Sequence, residues 1–132
     1  MEKKFVNSES IHPPRGYTHA VSAQGGRMVF VAGQVPFSKD MQLVGSGDLR
    51  AQARQAFQNL SAALVAAGAT FADVVKVNTY VVNYKQSDLA LIGEVRREFF
   101  NKENPPASTM VGVQALALDG ILIEIEAIAV VP

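Results

Sequence analysis

The segment 121–132, ILIEIEAIAVVP, carries two carboxylates, Glu124 and Glu126, inside the most apolar stretch of the chain. Carboxylates are among the side chains that move a proton to or from water. On an extended strand, residues two apart point to one face. Glu124 and Glu126 therefore share a face, and Ile121, Ile123, Ile125, Ala127 and Ala129 form the other, a core face. A carboxylate is tolerated in such surroundings only where water or polar groups reach it, so such a group is either functional or close to water. Glu126 reads as structural, paired with a Lys or Arg across a subunit contact. Ser108 has no adjacent base and no Gly-x-Ser-x-Gly elbow, so it reads with Thr109 as a hydroxyl donor to a polar ligand, not as a nucleophile. His12 and His19 are too few and too separated to argue for a metal site, and the chain has no cysteine. No metal and no cofactor is expected.

The elements that must hold these residues follow from periodicity. Over 49–67, Leu49, Ala53, Ala56, Phe57, Leu60, Leu64 and Ala67 recur at helical spacing. Asp48 can cap the start of that helix and Gly68 can end it. A second helix follows Ser87, with Leu89, Ile92, Val95 and Phe99 as its stripe, and "NPP" at 104–106 lies beyond its end. The strands are HAVSA, MVFVAGQV, VVKVNTYVVN, STMVGVQAL and ILIEIEAIAV, with KKFVN as a short edge strand. Gly25 and Gly26 in "QGGR" predict a hairpin between the first two. The order is β-β-β-α-β-α-β-β, an α+β domain over 1–132, in which one mixed sheet carries two helices on one face.

Strand 28–35 is apolar on both sides: Val29, Val31 and Gly33 alternate with Met28, Phe30 and Ala32. A sheet covered on one side only should alternate more cleanly, which predicts that a second copy covers the other face. Twelve acidic residues balance twelve basic ones, without the basic stripe of a nucleic-acid binder. No apolar run reaches the about 18 residues of a membrane span. The start MEKKFVNSES lacks the apolar core of a signal peptide. A cytoplasmic protein without a membrane or nucleic-acid partner is expected.

In this order the segments GYTHAV (16–21), VFVAGQVP (29–36), QARQAFQNLSAALVAAGA (52–69), DVVKVNTYV (73–81), EFF (98–100), PPAS (105–108) and EIEAIAV (124–130) resemble the YjgF/Rid family, the reactive intermediate deaminases once labelled endoribonucleases. The resemblance implies a chorismate-mutase-like fold and a homotrimer with a barrel-like core of packed sheets and clefts between subunits. It implies hydrolysis of enamines and imines to ketoacids and ammonia, without metal or cofactor. In the active members an arginine directly after "PA" clamps the substrate carboxylate, and a glutamate on the last strand holds the attacking water. Carried onto this chain, the glutamate is Glu124, the tyrosine of the cleft is Tyr17, and the backbone turn is Ala32-Gly33-Gln34. The arginine position is Ser108. Met110 stands for a small cleft residue, Gly112 for a glutamate, and Gly93 for an asparagine that often faces the cleft. Arg15, two residues before Tyr17, is the candidate substitute cation.

Two readings follow. One is a Rid-type small-molecule hydrolase whose substrate is not the usual 2-imino acid, because Ser108 cannot clamp a carboxylate and the cleft should then prefer neutral or cationic ligands. The other is a trimeric metabolite-binding protein that kept the cleft without the chemistry. Either way Glu124 should face an inter-subunit cleft near Tyr17, the Gly33 turn and Ser108, with Ile123 and Ile125 facing the helices. The neutral charge and the lack of a histidine pair argue against the old RNA-cleavage label.

Overall fold

The computed structural model describes residues 1–132. Its elements are β1 (Glu2–Val6), β2 (Ala20–Gln24), β3 (Arg27–Gln34), α1 (Leu49–Ala66), β4 (Val74–Val82), α2 (Gln86–Arg96), β5 (Ala107–Val113) and β6 (Ile123–Val131), with a single 3-10 turn at Phe71–Asp73. The four-stranded sheet has the order β3-β6-β4-β5. Only β4 and β5 run parallel, as the α2 crossover between them requires. The fold is α+β, with both helices on one face of a mixed sheet.

The helix boundaries follow local chemistry. Asp48 accepts the Ala51 amide at 3.1 Å at the start of α1, which satisfies one of the orphan donors of a helix N-terminus. Gly68 stops the helix at φ +77°, and the Ala69 amide reaches back to the Leu64 carbonyl at 2.8 Å. The apolar stripe then buries Phe57, Leu60 and Leu64 completely against Val77, Val81, Ile123 and Ile125. Burial of each such side chain stabilises the fold by about 1.5–3 kcal/mol. Gln52, fully buried on α1, donates to the carbonyls of Gly45 and Gly120 and accepts the Leu122 amide at 2.8 Å. It thereby fixes the entry of β6, two residues before Glu124.

Three expectations change. The Gly-Gly bend forms with both glycines at positive φ, but β2 pairs with β1 along its whole length and β3 pairs with β6. Two glycines permit a reversal without dictating that the flanking strands pair. β1 and β2 therefore form a separate two-stranded sheet. On α2, Ile92 and Val95 are buried but Leu89 is 49% exposed, so the core stripe starts one turn later than the spacing predicts. β5 ends at Val113, short of the expected 116. In β4 the register slips between Val74 and Lys76, a bulge that puts both Val74 and Val77 in the core.

The face away from the helices is open. Met28 is 57% and Phe30 69% exposed, while Val29 and Val31 on the other side of the same strand are buried.

Candidate functional site

The residues singled out for chemistry fall into two groups, one on each side of the sheet. β6 sends Ile123 and Ile125 into the core and Glu124 and Glu126 to the open face. Glu124 lies opposite Tyr80 of β4, and Glu126 opposite Asn78. A bulge between Val31 and Gln34 on β3 brings Gly33 beneath Glu124. A Cβ at position 33 would overlap the Glu124 carboxylate. The close approach that a strand glycine signals is therefore to Glu124. Gln34 folds back to donate to the Ala32 carbonyl at 3.0 Å, and Ala32 is exposed on the same face.

Glu126 finds its partner within the chain, though not the expected Lys or Arg: the Tyr80 hydroxyl donates to its Oε1. That bond holds the proton on Tyr80 and raises the phenol above its ordinary value of 10.0. Desolvation adds to the rise, and the charges of Glu126 and Glu124 add further. Nearby, Lys76 donates to the Thr109 hydroxyl at 2.7 Å.

The second group lines a cavity of about 840 Å³ on the helix side, between α2, the start of β5 and the loop before β2. Tyr17, Gly93, Ser108 and Met110 all border it, with Arg15 exposed at its rim. Ser108 pairs with the fully buried Val77 in the parallel register, and paired residues of neighbouring strands share a face. Ser108 and Glu124 thus project from opposite faces of one sheet. Thr18 ties the two walls together: its amide donates to the Pro106 carbonyl at 3.2 Å and its hydroxyl to the Pro105 carbonyl at 2.5 Å. Beside it the Tyr17 hydroxyl meets His12 Nε2 at 3.1 Å. Gly93 leaves room where a longer side chain could stand; a Cβ there would come no nearer than 3.8 Å to Arg97. At Gly112, the Tyr84 side chain takes the adjacent space.

Sequence reasoning missed two residues. One is Tyr80, whose place beside both glutamates depends on the β4–β6 register. The other is Arg96, the last residue of α2. Its Nη1 donates to the Ser108 hydroxyl at 3.2 Å, so the guanidinium beside Ser108 comes from Arg96 and not from Arg15. Burial pulls its pKa down, and the neighbouring charge of Arg97 adds to this. No group of three or more His, Asp or Glu side chains is placed to hold a metal ion, and no helix is long and apolar enough to cross a membrane.

A family model described as Endoribonuclease L-PSP matches residues 7–131. The chain belongs to the YjgF/Rid family. A RutC family protein of Pyrococcus horikoshii is 39% identical over 128 residues, covering 96% of this chain and 97% of that protein. A 2-iminobutanoate/2-iminopropanoate deaminase of Dermatophagoides farinae is 36% identical, covering 98% and 97%. Among solved structures, a Rid family protein of unknown function from Yersinia pestis superposes with a TM-score of 0.88 at 43% identity, covering 99% of this chain and all of that one. RidA of a Psychrobacter species superposes at 0.71 with 32% identity. The Rid fold is thus shared along the full length, and position 108 in this Rid chain is a serine.

Proposed function

We propose that the chain is a Rid-type hydrolase of imines or enamines, working in clefts between the subunits of a homotrimer. The observation that carries this reading is the placement of Glu124 over Gly33 on the open sheet face, with Tyr17 and Ser108 on the opposite face. One copy cannot bring the two groups together through its own sheet. A second copy can, by laying the Glu124 face of one subunit against the cavity mouth of another. The exposed Met28 and Phe30 give that contact an apolar driving force. The deaminase name of a relative 36% identical supports the same reaction class.

In this reading Glu124 orients a water toward the C=N carbon and accepts its proton as the C–O bond forms. The C=N π pair moves to nitrogen, which takes that proton to give a carbinolamine. The hydroxyl proton then passes to nitrogen as well, C=O forms as the C–N bond breaks, and ammonia and a carbonyl product leave. A positioned acid–base group contributes about 10²–10⁴-fold to such a step. Ser108 supplies no charge of its own, so it cannot by itself clamp a 2-imino acid.

The test is imine turnover. 2-Iminobutanoate, generated in situ from threonine by a dehydratase, should be hydrolysed faster with the protein than without it. Glu124→Gln should reduce that acceleration about 100-fold or more with assembly unchanged. Equal activity of the variant would overturn the role of Glu124. Ligand binding with no turnover by the wild-type protein would leave a trimeric binding protein instead.

A further inference from the structure

We infer that Arg96, reaching in from the end of α2, is the residue that holds an organic carboxylate in this cavity, in place of the charge that Ser108 lacks. The inference rests on the functional reading above for the location of the site, but its own observations are independent.

The first is bonding. A guanidinium offers five N–H donors, and the only hydrogen bond that of Arg96 makes to protein is the one to Ser108. The second is charge. The ion pairs of the chain are Lys4–Glu2, Arg50–Glu94, Arg54–Glu98 and Lys85–Asp88. Glu94 and Glu98, the acids nearest Arg96 on its own segment, are both drawn toward α1. Arg96 is left half-buried without a counter-ion, beside Arg97; Arg15 and Lys102 line the same cavity, and its one acid, Glu94, is paired with Arg50. A desolvated cation without an anion is costly, and a bound anion would remove that cost.

The third observation is room. Gly16, at φ +74°, lies so close to Arg96 that a Cβ there would stand 2.8 Å from its Nη2. The glycine lets the guanidinium lie between the Tyr17 loop and Ser108. The planar fork matches a carboxylate in a bidentate arrangement. Leu89, Phe100 and Met110 supply an apolar wall, which favours a small carboxylate with an apolar body over inorganic phosphate. The expectation of a neutral or cationic ligand therefore loses its premise: the position after "PA" is uncharged, but the place it occupies is not.

Titration with 2-oxobutanoate, with its uncharged methyl ester and with inorganic phosphate, followed by ligand NMR, tests this without requiring turnover. The wild-type protein should bind the acid in preference to the ester and to phosphate. Arg96→Ala should weaken the acid about 30-fold or more and leave the ester unchanged. Arg96→Lys, which keeps the charge and the stem, should recover only part of the affinity, and Arg15→Ala should stay within about threefold, as for a rim charge. The double variant Arg96→Ala/Ser108→Arg should restore acid binding, which a merely structural Arg96 would not allow. Equal binding of acid and ester by the wild type, full affinity in Arg96→Ala, or preference for phosphate would each overturn the assignment. Acid binding that depends on Arg96 without imine hydrolysis would sink the hydrolase reading and leave this inference standing.

Discussion

The two faces of the sheet differ in their prevailing charge, with Lys76 the cation of the open side and Glu94 the acid of the cavity. On the helix side, Arg96 and Arg97 end α2 beside a hydroxyl and a tyrosine, and Arg15 and Lys102 share their cavity. On the open side, Glu124 and Glu126 surround the Tyr80 hydroxyl, and the flanking positions are the exposed Met28 and Phe30. The sheet insulates one from the other, since its middle layer is fully buried Val77, Val81, Ile123 and Ile125. Segregated charge of this kind cannot act on one small ligand from within a single copy. In the proposed trimer, a head-to-tail contact would place acid against base, and such a heterologous contact forms a ring only where its rotation closes.

The hardest test of that contrast is to separate the copies. Phe30→Asp, at a position 69% exposed in the chain, should leave the fold intact, convert the proposed trimer to monomer in sedimentation, and remove the proposed imine hydrolysis to background. Hydrolysis by a proven monomer would mean that one face suffices. A milder version mixes two disabled proteins, Glu124→Gln and Arg96→Ala. After co-refolding, random assortment in a closed ring should give about a quarter of the clefts one intact half from each, and a corresponding share of wild-type rate. No recovery would place both residues of each cleft on the same copy.

Finer changes sharpen the acidic half. Gly33→Ala should push the Glu124 carboxylate aside and cost on the order of 100-fold in kcat, the scale of a small misplacement of a reacting group, with little change in trimer content. Tyr80→Phe should alter pH dependence more than rate. The Tyr80 phenol is held above 10.0 in the folded chain. Its protonated form therefore adds stability below that pH, and the addition is lost as pH rises through the raised value. Thermal melts between about pH 9 and 11 should show a shallower alkaline decline in the variant than in the wild type.

How much of this could be read from the chain depends on whether the signal was local. Asp48 and Gly68 bound α1 as their cap chemistry requires. The alternation of Ile123, Glu124 and Ile125 placed the glutamate on the correct side, because a two-residue period leaves no choice. Tyr80 was invisible because its neighbours depend on a register that the bulge near Val74 shifts. Arg96 was hidden for a similar reason, since its contact with Ser108 is tertiary. A cue did exist: Arg50 and Arg54 are spaced i, i+4, as are Glu94 and Glu98, a matched ladder between two helices. Arg96, two residues from each glutamate, falls on the other side of the helix.

Thr18 has a consequence in the exchange of backbone hydrogens with solvent. The residues around it have no regular structure, and loop amides ordinarily exchange fast. Thr18 is 3% exposed, and its amide and hydroxyl are both spent on the carbonyls of the Pro105–Pro106 segment. Its amide should therefore exchange at the pace of the β5 region, far more slowly than that of Gly16 or Tyr17. Thr18→Val, which deletes the hydroxyl bond alone, should speed that exchange, and the wall carrying Tyr17 would then open independently of the strand that carries Ser108.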